Sequence, residues 1–191
     1  EVRKTPAQQL AFAQSLFDSK AYEDAKKECK KLIKNYPRSV EAAEAQYSIG
    51  LIEEAQGNLY AAFLAYQKVI EKYPFSERIS RIIELQYNIG EQFMSGKKRK
   101  LIGVDLPVDH PSIEIFTKIV ENSVFGPLAP KAQYKLGLVL KSLNRYYDAE
   151  DAFNRVVSSY PESEWVVPAK YQIASCRALI ARTSDYDQAA T

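Results

Sequence analysis

The residues best suited to bind a metal or transfer a proton are a histidine and two aspartates that lie close together in the sequence. His110 is the only histidine among 191 residues, and Asp105 and Asp109 precede it. Imidazole and carboxylate groups this close together are typical of a metal site or of an acid/base pair. The same residues also suit a turn before a proline, because Asp bonds to its own backbone and Pro111 follows His110 directly. We favour the turn, and we expect no metal and no cofactor.

Other signs of catalysis are missing from the sequence. It contains no serine or cysteine nucleophile motif, no glycine-rich phosphate loop and no paired-cysteine zinc spacing. The two cysteines, Cys29 and Cys176, lie far apart inside helical patterns, which indicates two buried structural thiols. We therefore predict that the protein is not an enzyme.

A short basic segment is the other candidate for a charged binding site. Lys97, Lys98, Arg99 and Lys100 place four positive charges on a predicted loop. Such a cluster suits an acidic lipid surface or nucleic acid, but it is more often simply solvated. The net charge is only +2, which leaves no broad basic face for nucleic acid. We expect protein partners and no nucleic acid.

A sequence motif repeats along the chain. Gln46-Tyr47-Ser48-Ile49-Gly50 returns as Gln86-Tyr87-Asn88-Ile89-Gly90 and as Gln133-Tyr134-Lys135-Leu136-Gly137, with a weaker copy at Tyr171-Gln172-Ile173-Ala174. Small, aromatic and proline residues follow at constant spacing, which reproduces the tetratricopeptide pattern of about 34 residues. The predicted fold is all-α: a tetratricopeptide-repeat α-solenoid, a right-handed superhelix of helix pairs.

Three kinds of residue recur where helices end or cross. A proline after tyrosine stops the second helix of a pair, as at Tyr36-Pro37, Tyr73-Pro74 and Tyr160-Pro161. Gly57 and Asn144 occupy the turn within a pair, where a left-handed residue ends the first helix. Small residues mark the helix crossing, and we expect those of the first helix to face alanines of the second. The first-helix residues are Ala13, Gly50, Gly90 and Gly137, and the alanines are Ala25, Ala62 and Ala149.

The repeat marks divide the whole chain, 1–191, into a single array. We predict units at about 6–40, 41–77, 78–128 and 129–163, and a partial unit at 164–191. The corresponding helix pairs are predicted at about 6–36, 42–73, 80–124 and 129–160, and a further helix at 165–182.

Two departures from the pattern stand out. The third unit carries about ten extra residues, which we predict to form a loop without strands at 95–111. Asp185-Tyr186-Asp187-Gln188-Ala189 resembles the start of a second helix at Arg145-Tyr146-Tyr147-Asp148-Ala149. We therefore expect a new helix to begin near residue 185 and the chain to be a fragment of a longer array.

Four tyrosines occupy one equivalent position of the repeat: Tyr47, Tyr87, Tyr134 and Tyr171. In repeats of this kind the first helix lines the concave side, so stacked units would align these rings in a ladder. The rings either pack between neighbouring helices or grip an extended peptide, and the sequence leaves both interpretations open. The predicted neighbours on this peptide-binding face are Glu44, Leu51, Glu54, Glu84, Glu91, Lys131, Leu138 and Lys141.

The motifs resemble those of bacterial periplasmic repeat proteins. Tyr36-Pro37-Arg38-Ser39 and Tyr160-Pro161-Glu162-Ser163 end two units, and the Gln-Tyr-x-Ile-Gly motif opens others. Together with the interrupted third unit and the helix containing Ala169-Lys170-Tyr171-Gln172-Ile173-Ala174, the chain is similar to the BamD (YfiO) lipoproteins of the outer-membrane β-barrel assembly machinery. The resemblance covers nearly the whole chain.

This resemblance implies a periplasmic, outer-membrane-associated scaffold. Members of that family bind the barrel-forming subunit and meet unfolded outer-membrane protein segments, and a lipidated N-terminal cysteine anchors them. No such cysteine precedes Glu1, so we expect membrane association only through an anchor that this sequence does not include. The family's docking surface for the barrel subunit lies in later repeats, which we also expect to be missing here.

Four other classes of protein differ from this one in features that the sequence shows. A Tol-Pal or cell-envelope coordinator uses the same Tyr-Pro endings but runs without an insertion, and a generic repeat adaptor would share the fold alone. A cytosolic co-chaperone clamp needs a basic cradle, which the acids Glu44, Glu54, Glu84 and Glu91 disfavour. An enzyme would require a role for His110.

Overall fold

A computed structural model describes the backbone of residues 4–96, 100–101, 104–105 and 110–189 and the side chains of 4–96 and 110–182. Over this part of the chain the protein forms nine α-helices and one short antiparallel ribbon. The predicted all-α fold of tetratricopeptide-like helix pairs is confirmed.

Except for the end of the last helix, the helices begin and end close to the predicted positions. The first two pairs are α1 Pro6–Asp18 with α2 Tyr22–Asn35, and α3 Val40–Ala55 with α4 Leu59–Lys72. The later helices are α5 Ile79–Met94, α6 Pro111–Asn122, α7 Ala129–Ser142, α8 Tyr146–Ser159 and α9 Val166–Ala189. The strands are β1 Lys100–Leu101 and β2 Val104–Asp105.

The chain divides into two compact units. The N-terminal unit comprises residues 1–89 and 98–107, and the C-terminal unit comprises residues 90–97 and 108–191. In the N-terminal unit α1 packs on α2 and α3, α2 packs on α3, and α3 packs on α4. In the C-terminal unit α6 packs on α7, α7 on α8, and α8 on α9. That the repeats form one array over 1–191 remains a prediction.

Left-handed residues end the first helix of every pair. Gly57 and Asn144 have φ of 77° and 59°, which confirms the predicted turn positions. Gly96 and Lys20 have φ of 96° and 62° after α5 and α1. Lys20 differs from the two glycines and from Asn144. Its Cβ makes the left-handed conformation costly, and within the described residues its side chain forms no hydrogen bond to the nearby backbone that would stabilise it.

Replacing Lys20 by glycine is therefore expected to stabilise the protein. Relief of the left-handed strain exceeds the extra freedom that glycine gives the unfolded chain, and we expect a net gain of about 0.5 kcal/mol. Urea unfolding followed by circular dichroism measures the gain. Lys20→Ala removes the same charge but keeps the Cβ, so it should give no gain; an equal gain in both variants would show that the charge matters and the backbone strain does not.

The Tyr-Pro turns end one helix and begin the next. Tyr36, Tyr73 and Tyr160 follow α2, α4 and α8 with φ of −131°, −131° and −133° and ψ of 52°, 61° and 56°, outside the helical region that a following proline disfavours. Each tyrosine carbonyl accepts a hydrogen bond from the amide of the serine three residues later, at 3.1, 2.9 and 3.0 Å. The hydroxyl of the first of these serines, Ser39, then caps α3 by accepting from the Ala42 amide.

The third unit uses the same turn with different residues. Ser123 takes the place of the tyrosine, and its carbonyl accepts a hydrogen bond from Gly126 at 2.8 Å. The backbone turn does not require the Tyr-Pro pair, because any residue supplies the carbonyl and the amide. The altered sequence of this unit therefore keeps the repeat geometry.

The insertion and the last helix differ from the predictions. A connection does separate α5 from α6, but β1 and β2 pair within it, with Lys100 opposite Asp105, so the expectation of a segment without strands was wrong. The turn expected before Asp185 was also wrong, because α9 continues to Ala189. Ser184 stands where Asn144 stands in the earlier repeat, and serine enters the left-handed region less readily than asparagine.

At three helix crossings the atoms closest to the glycine belong to an aromatic ring, and the prediction that alanines face these small residues stays a prediction. A Cβ added at Gly50 would lie 2.2 Å from the ring of Tyr66, and one at Gly137 would lie 2.5 Å from Phe153. A Cβ at Gly90 would lie 2.9 Å from Phe116. The glycine removes a side chain so that the ring, not the opposing backbone, fills the space.

Candidate peptide-binding face

The glutamine of the repeated motif is a structural clamp. Gln46 on α3 donates to the carbonyl of Ala65 on α4, and Gln133 on α7 donates to that of Ala152 on α8, both at 3.0 Å. Both glutamines are buried. Because a buried amide must find partners, this bond sets the rotation of one helix against the next. The adjacent tyrosine contacts the same second helix, Tyr47 at Tyr66 of α4 and Tyr134 at Phe153 of α8.

Tyr47 is the centre of a polar and aromatic surface in the N-terminal unit. Its ring is half-buried against Tyr66, with ring centroids 5.8 Å apart. The guanidinium of Arg78 lies over the Tyr47 ring, 5.2 Å from its centroid. The Arg78 Nε donates to both carboxylate oxygens of Glu44, at 2.9 and 3.1 Å. These contacts hold a cation over an accessible ring.

A second arginine extends this surface along α5. Arg81 donates to Glu84 at 2.7 Å and also interacts with the Tyr47 side chain. We call the set of Glu44, Tyr47, Arg78, Arg81 and Glu84 the Tyr47 face. Hydrogen bonds to Glu44 raise the pKa of Arg78, and the bond to Glu84 raises that of Arg81. Both arginines are therefore charged at every physiological pH.

Each acid of the predicted face has a partner. Besides Glu44 and Glu84, Glu54 accepts a hydrogen bond from the Tyr66 hydroxyl at 2.8 Å, and Glu91 pairs with Lys135 at 2.8 Å. Burial raises the pKa of Tyr66, so this hydroxyl remains a donor. Three of these acids are therefore paired with a cation and the fourth with a hydroxyl donor.

The four aligned tyrosines differ in exposure. Tyr87 and Tyr134 are only 4% and 9% exposed, whereas Tyr171 is 73% exposed. Tyr134 packs between Phe153 and Trp165, with ring centroids 5.5 and 5.0 Å away. Of the two interpretations that the sequence left open, packing describes Tyr87 and Tyr134. A role of any of the four in binding a peptide remains a prediction.

The remaining predicted residues lie at several places. Leu51 is half-buried beside a small cavity that Ala13 also lines, and Leu138 is half-buried on α7. Lys131 lies 5.9 Å from the Trp165 ring. Lys141 donates to Gln172 and Ser175 of α9, at 2.7 and 2.8 Å. Lys141 therefore joins two helices.

Sequence reasoning missed Arg78, Arg81 and a groove beside them. The groove has a volume of about 580 Å³ and lies between the Tyr36-Pro37 and Tyr73-Pro74 turns. Phe75 at its edge is 98% exposed and Val40 is 81% exposed. The signal for Arg81 was its position three residues before Glu84 on one face of α5. We call this feature the turn groove; Glu44 belongs to both the turn groove and the Tyr47 face.

The predicted histidine site and the basic segment cannot be compared in full. The side chains of Asp105, Asp109 and residues 97–100 lie outside the described residues. His110 precedes α6, and its buried Nδ1 has no hydrogen-bond partner among the residues that the structure describes. Within that part of the chain, no three His, Cys, Asp or Glu side chains are placed to hold a metal ion.

His110 gives the protein a predictable pH dependence. Burial lowers its pKa below the ordinary value of 6.5, so the unfolded chain binds more protons than the folded one. The unfolding free energy should therefore fall as pH is lowered through about 6.5 towards the folded pKa. Chemical denaturation at pH 7.5, 6.5 and 5.5 measures the effect, and His110→Gln should be flat over this range. An equally steep fall in the variant would assign the effect to other groups.

The cysteines are both buried and free, as predicted. Burial raises the pKa of Cys29 to about 12 and also raises that of Cys176. Thiols of this kind are poor nucleophiles, because the thiolate is the reactive form. None of the helices within the described residues is both long enough and apolar enough to cross a membrane.

Comparison with known proteins locates similarity in two segments. Residues 10–77 match a tetratricopeptide-repeat model, and residues 131–163 match a second model of that repeat. Comparison with curated proteins gives no match.

Solved structures with similar folds share little sequence with this chain. A tetratricopeptide repeat protein from Parabacteroides merdae is 15% identical, with 91% of this chain and 60% of that chain covered and a TM-score of 0.48. MamA from Desulfovibrio magneticus is 14% identical, with 99% and 98% covered and a TM-score of 0.43. This chain therefore spans less than two thirds of the first of these structures, and family membership rests on the two matched repeat models.

Proposed function

Because the chain belongs to the tetratricopeptide-repeat family, whose members bind other proteins, we propose that it captures an extended polypeptide on the Tyr47 face and in the turn groove. The observation that carries this proposal is the accessible Tyr47 ring with Arg78 above it. No cofactor and no catalytic step are involved.

The Tyr47 face offers both apolar area and directional groups. An aromatic ring provides contact area at a low cost in side-chain entropy, and a guanidinium donates to several backbone carbonyls of an extended chain. The Arg78–Glu44 pair is partly exposed, with 47% and 30% of the two side chains accessible. Such pairs contribute little to stability, so a ligand displaces one arm of the pair at small cost.

The turn groove supplies a second subsite. Phe75 and Val40 present exposed apolar side chains at its edge, and the groove is large enough for a bulky side chain of the guest. Glu44 joins it to the Tyr47 face. A peptide running along both would place an apolar side chain in the groove and its backbone beneath Arg78.

We place this activity in the bacterial cell envelope, in the outer-membrane β-barrel assembly machinery. Support comes from the Tyr-Pro-x-Ser turns and the interrupted third unit, which resemble the BamD lipoproteins. The proposed guests are segments of unfolded outer-membrane proteins, which alternate apolar and polar residues. The proposed partner is the barrel-forming subunit, and the proposed location is periplasmic, at the outer membrane.

Affinity capture tests the cellular role. Tagged protein added to envelope extract, followed by mass spectrometry, should enrich β-barrel assembly subunits and unfolded barrel proteins. A matched capture with the Tyr47→Ala, Arg78→Ala variant separates specific from background binding. Enrichment of Tol-Pal components instead would contradict the assembly role and favour the coordinator alternative.

A further inference from the structure

The side of α9 that faces away from α8 is uncovered. Val167 is 76% exposed and Tyr171 is 73% exposed. Ala174 and Ala178 continue this stripe at helical spacing and are also exposed. We call these four residues the α9 outer face. The other side of α9 packs on α8 and is buried at Ala169, Ile173 and Cys176.

The repeat shows which structure belongs on this face. Tyr171 and Ala174 are equivalent to Tyr134 and Gly137 of α7, which are both buried. Phe153 of α8 covers both of them, at 5.5 Å between the Tyr134 and Phe153 rings. The exposed face of α9 is therefore equivalent to the face of α7 against which α8 packs.

The charges indicate the type of helix. α7 carries Lys131, Lys135 and Lys141 and no acid, whereas its partner α8 carries three acids and one arginine. Residues 166–182 of α9 likewise contain three cations and no acid: Lys170, Arg177 and Arg182. Arg177 donates to Glu150 of α8 at 2.7 Å, so Lys170 and Arg182 are the cations of α9 that remain to meet an acidic helix on the other side.

The size of residue 174 adds a steric requirement. A glycine at this position accommodates an aromatic ring, as Gly137 does for Phe153. In the first repeat the position is Ala13, and the residue in the ring's place is Cys29, with both buried in one core cluster. The methyl group of Ala174 leaves less space than a glycine would, so we expect a helix that covers it to place a small residue there.

We propose that the α9 outer face binds an acidic amphipathic helix of a partner protein, with a small side chain over Ala174. The partner helix packs on Tyr171 and Val167, and its acids face Lys170 and Arg182. This surface is separate from the Tyr47 face and does not depend on the peptide-binding role.

Two synthetic peptides test the proposal. One has the sequence of α8, Tyr146–Ser159, and the other has the same sequence with Phe153→Ala. The alanine peptide should bind the full chain about tenfold more tightly, because a ring overpacks against Ala174. Titrations followed by fluorescence anisotropy measure both affinities, and amide chemical shifts should change in residues 166–182.

The matched control enlarges the space at position 174 so that the larger peptide side chain fits. In Ala174→Gly, which is tolerated because the position is exposed, the peptide containing Phe153 should become the tighter ligand. Tyr171→Asp should abolish binding of both peptides. Equal affinities in the two proteins would overturn the proposal. So would a dimer, seen by light scattering, that Tyr171→Asp dissociates, because a second copy would then occupy the face.

Discussion

Replacing Gly50 by leucine is expected to destabilise the protein by about 3 kcal/mol. Even a single added carbon would lie 2.2 Å from the Tyr66 ring, which is fully buried and donates its hydroxyl to Glu54. The ring cannot move aside without breaking that bond and its packing against neighbouring side chains. Urea denaturation measured by circular dichroism gives the change in unfolding free energy.

The same substitution at an exposed position of the same helix is the control. Ala55→Leu adds a similar side chain to α3 at an exposed site, so we expect a change within about 0.5 kcal/mol. A double-mutant cycle with Tyr66→Ala identifies the clash, because Gly50→Leu should cost much less once the ring is absent. Additive effects would show that the ring is not what excludes a side chain at position 50.

The second large effect is on peptide binding. The double substitution Tyr47→Ala, Arg78→Ala is expected to weaken binding of an extended peptide at least about tenfold, because aromatic and arginine side chains dominate such interfaces. The probe is a labelled peptide that alternates aromatic and polar residues, titrated by fluorescence anisotropy. Both positions are only partly buried, so the helices should retain their circular dichroism signal and unfolding midpoint.

The control pair has the same residue types elsewhere on the surface. Tyr147 is 70% exposed, and Arg155 is exposed on the same helix, α8. Tyr147→Ala, Arg155→Ala should leave peptide affinity unchanged. Tyr87 is unsuitable for this test, because it is 4% exposed and its truncation would open a cavity costing about 3–5 kcal/mol. Unchanged affinity in the Tyr47, Arg78 variant would contradict a binding role for the Tyr47 face.

Salt dependence separates the two contributions to binding. If Arg78 and Arg81 act by charge, affinity for an acidic peptide should fall as ionic strength rises, whereas the contribution of the Tyr47 ring should persist. The arginines remain charged throughout the accessible pH range. The effect of His110 on stability is distinct, because it appears in the unfolding free energy without any ligand.

The sequence by itself determined the local structure of the chain. Helix periodicity, the proline after each terminal tyrosine and the left-handed residue at Gly57 and Asn144 act within a few residues, so they are readable without knowing the fold. Apart from the end of α9, the predicted helix ends therefore agree with the structure to within a few residues. Where local signals were weak, as at Ser184 and in the insertion, the predictions of a turn and of a loop without strands were wrong.

Only the tertiary structure decided what each repeated residue does. Tyr47, Tyr87, Tyr134 and Tyr171 are equivalent in sequence, yet their exposure depends on which helix lies against them. Glycine faces a ring because the next helix places that ring there, and Arg78 meets Glu44 across 34 positions of sequence. Such contacts depend on packing between elements that are distant in sequence. A repeat pattern shows which positions are equivalent, but it does not show which helix packs against each of them.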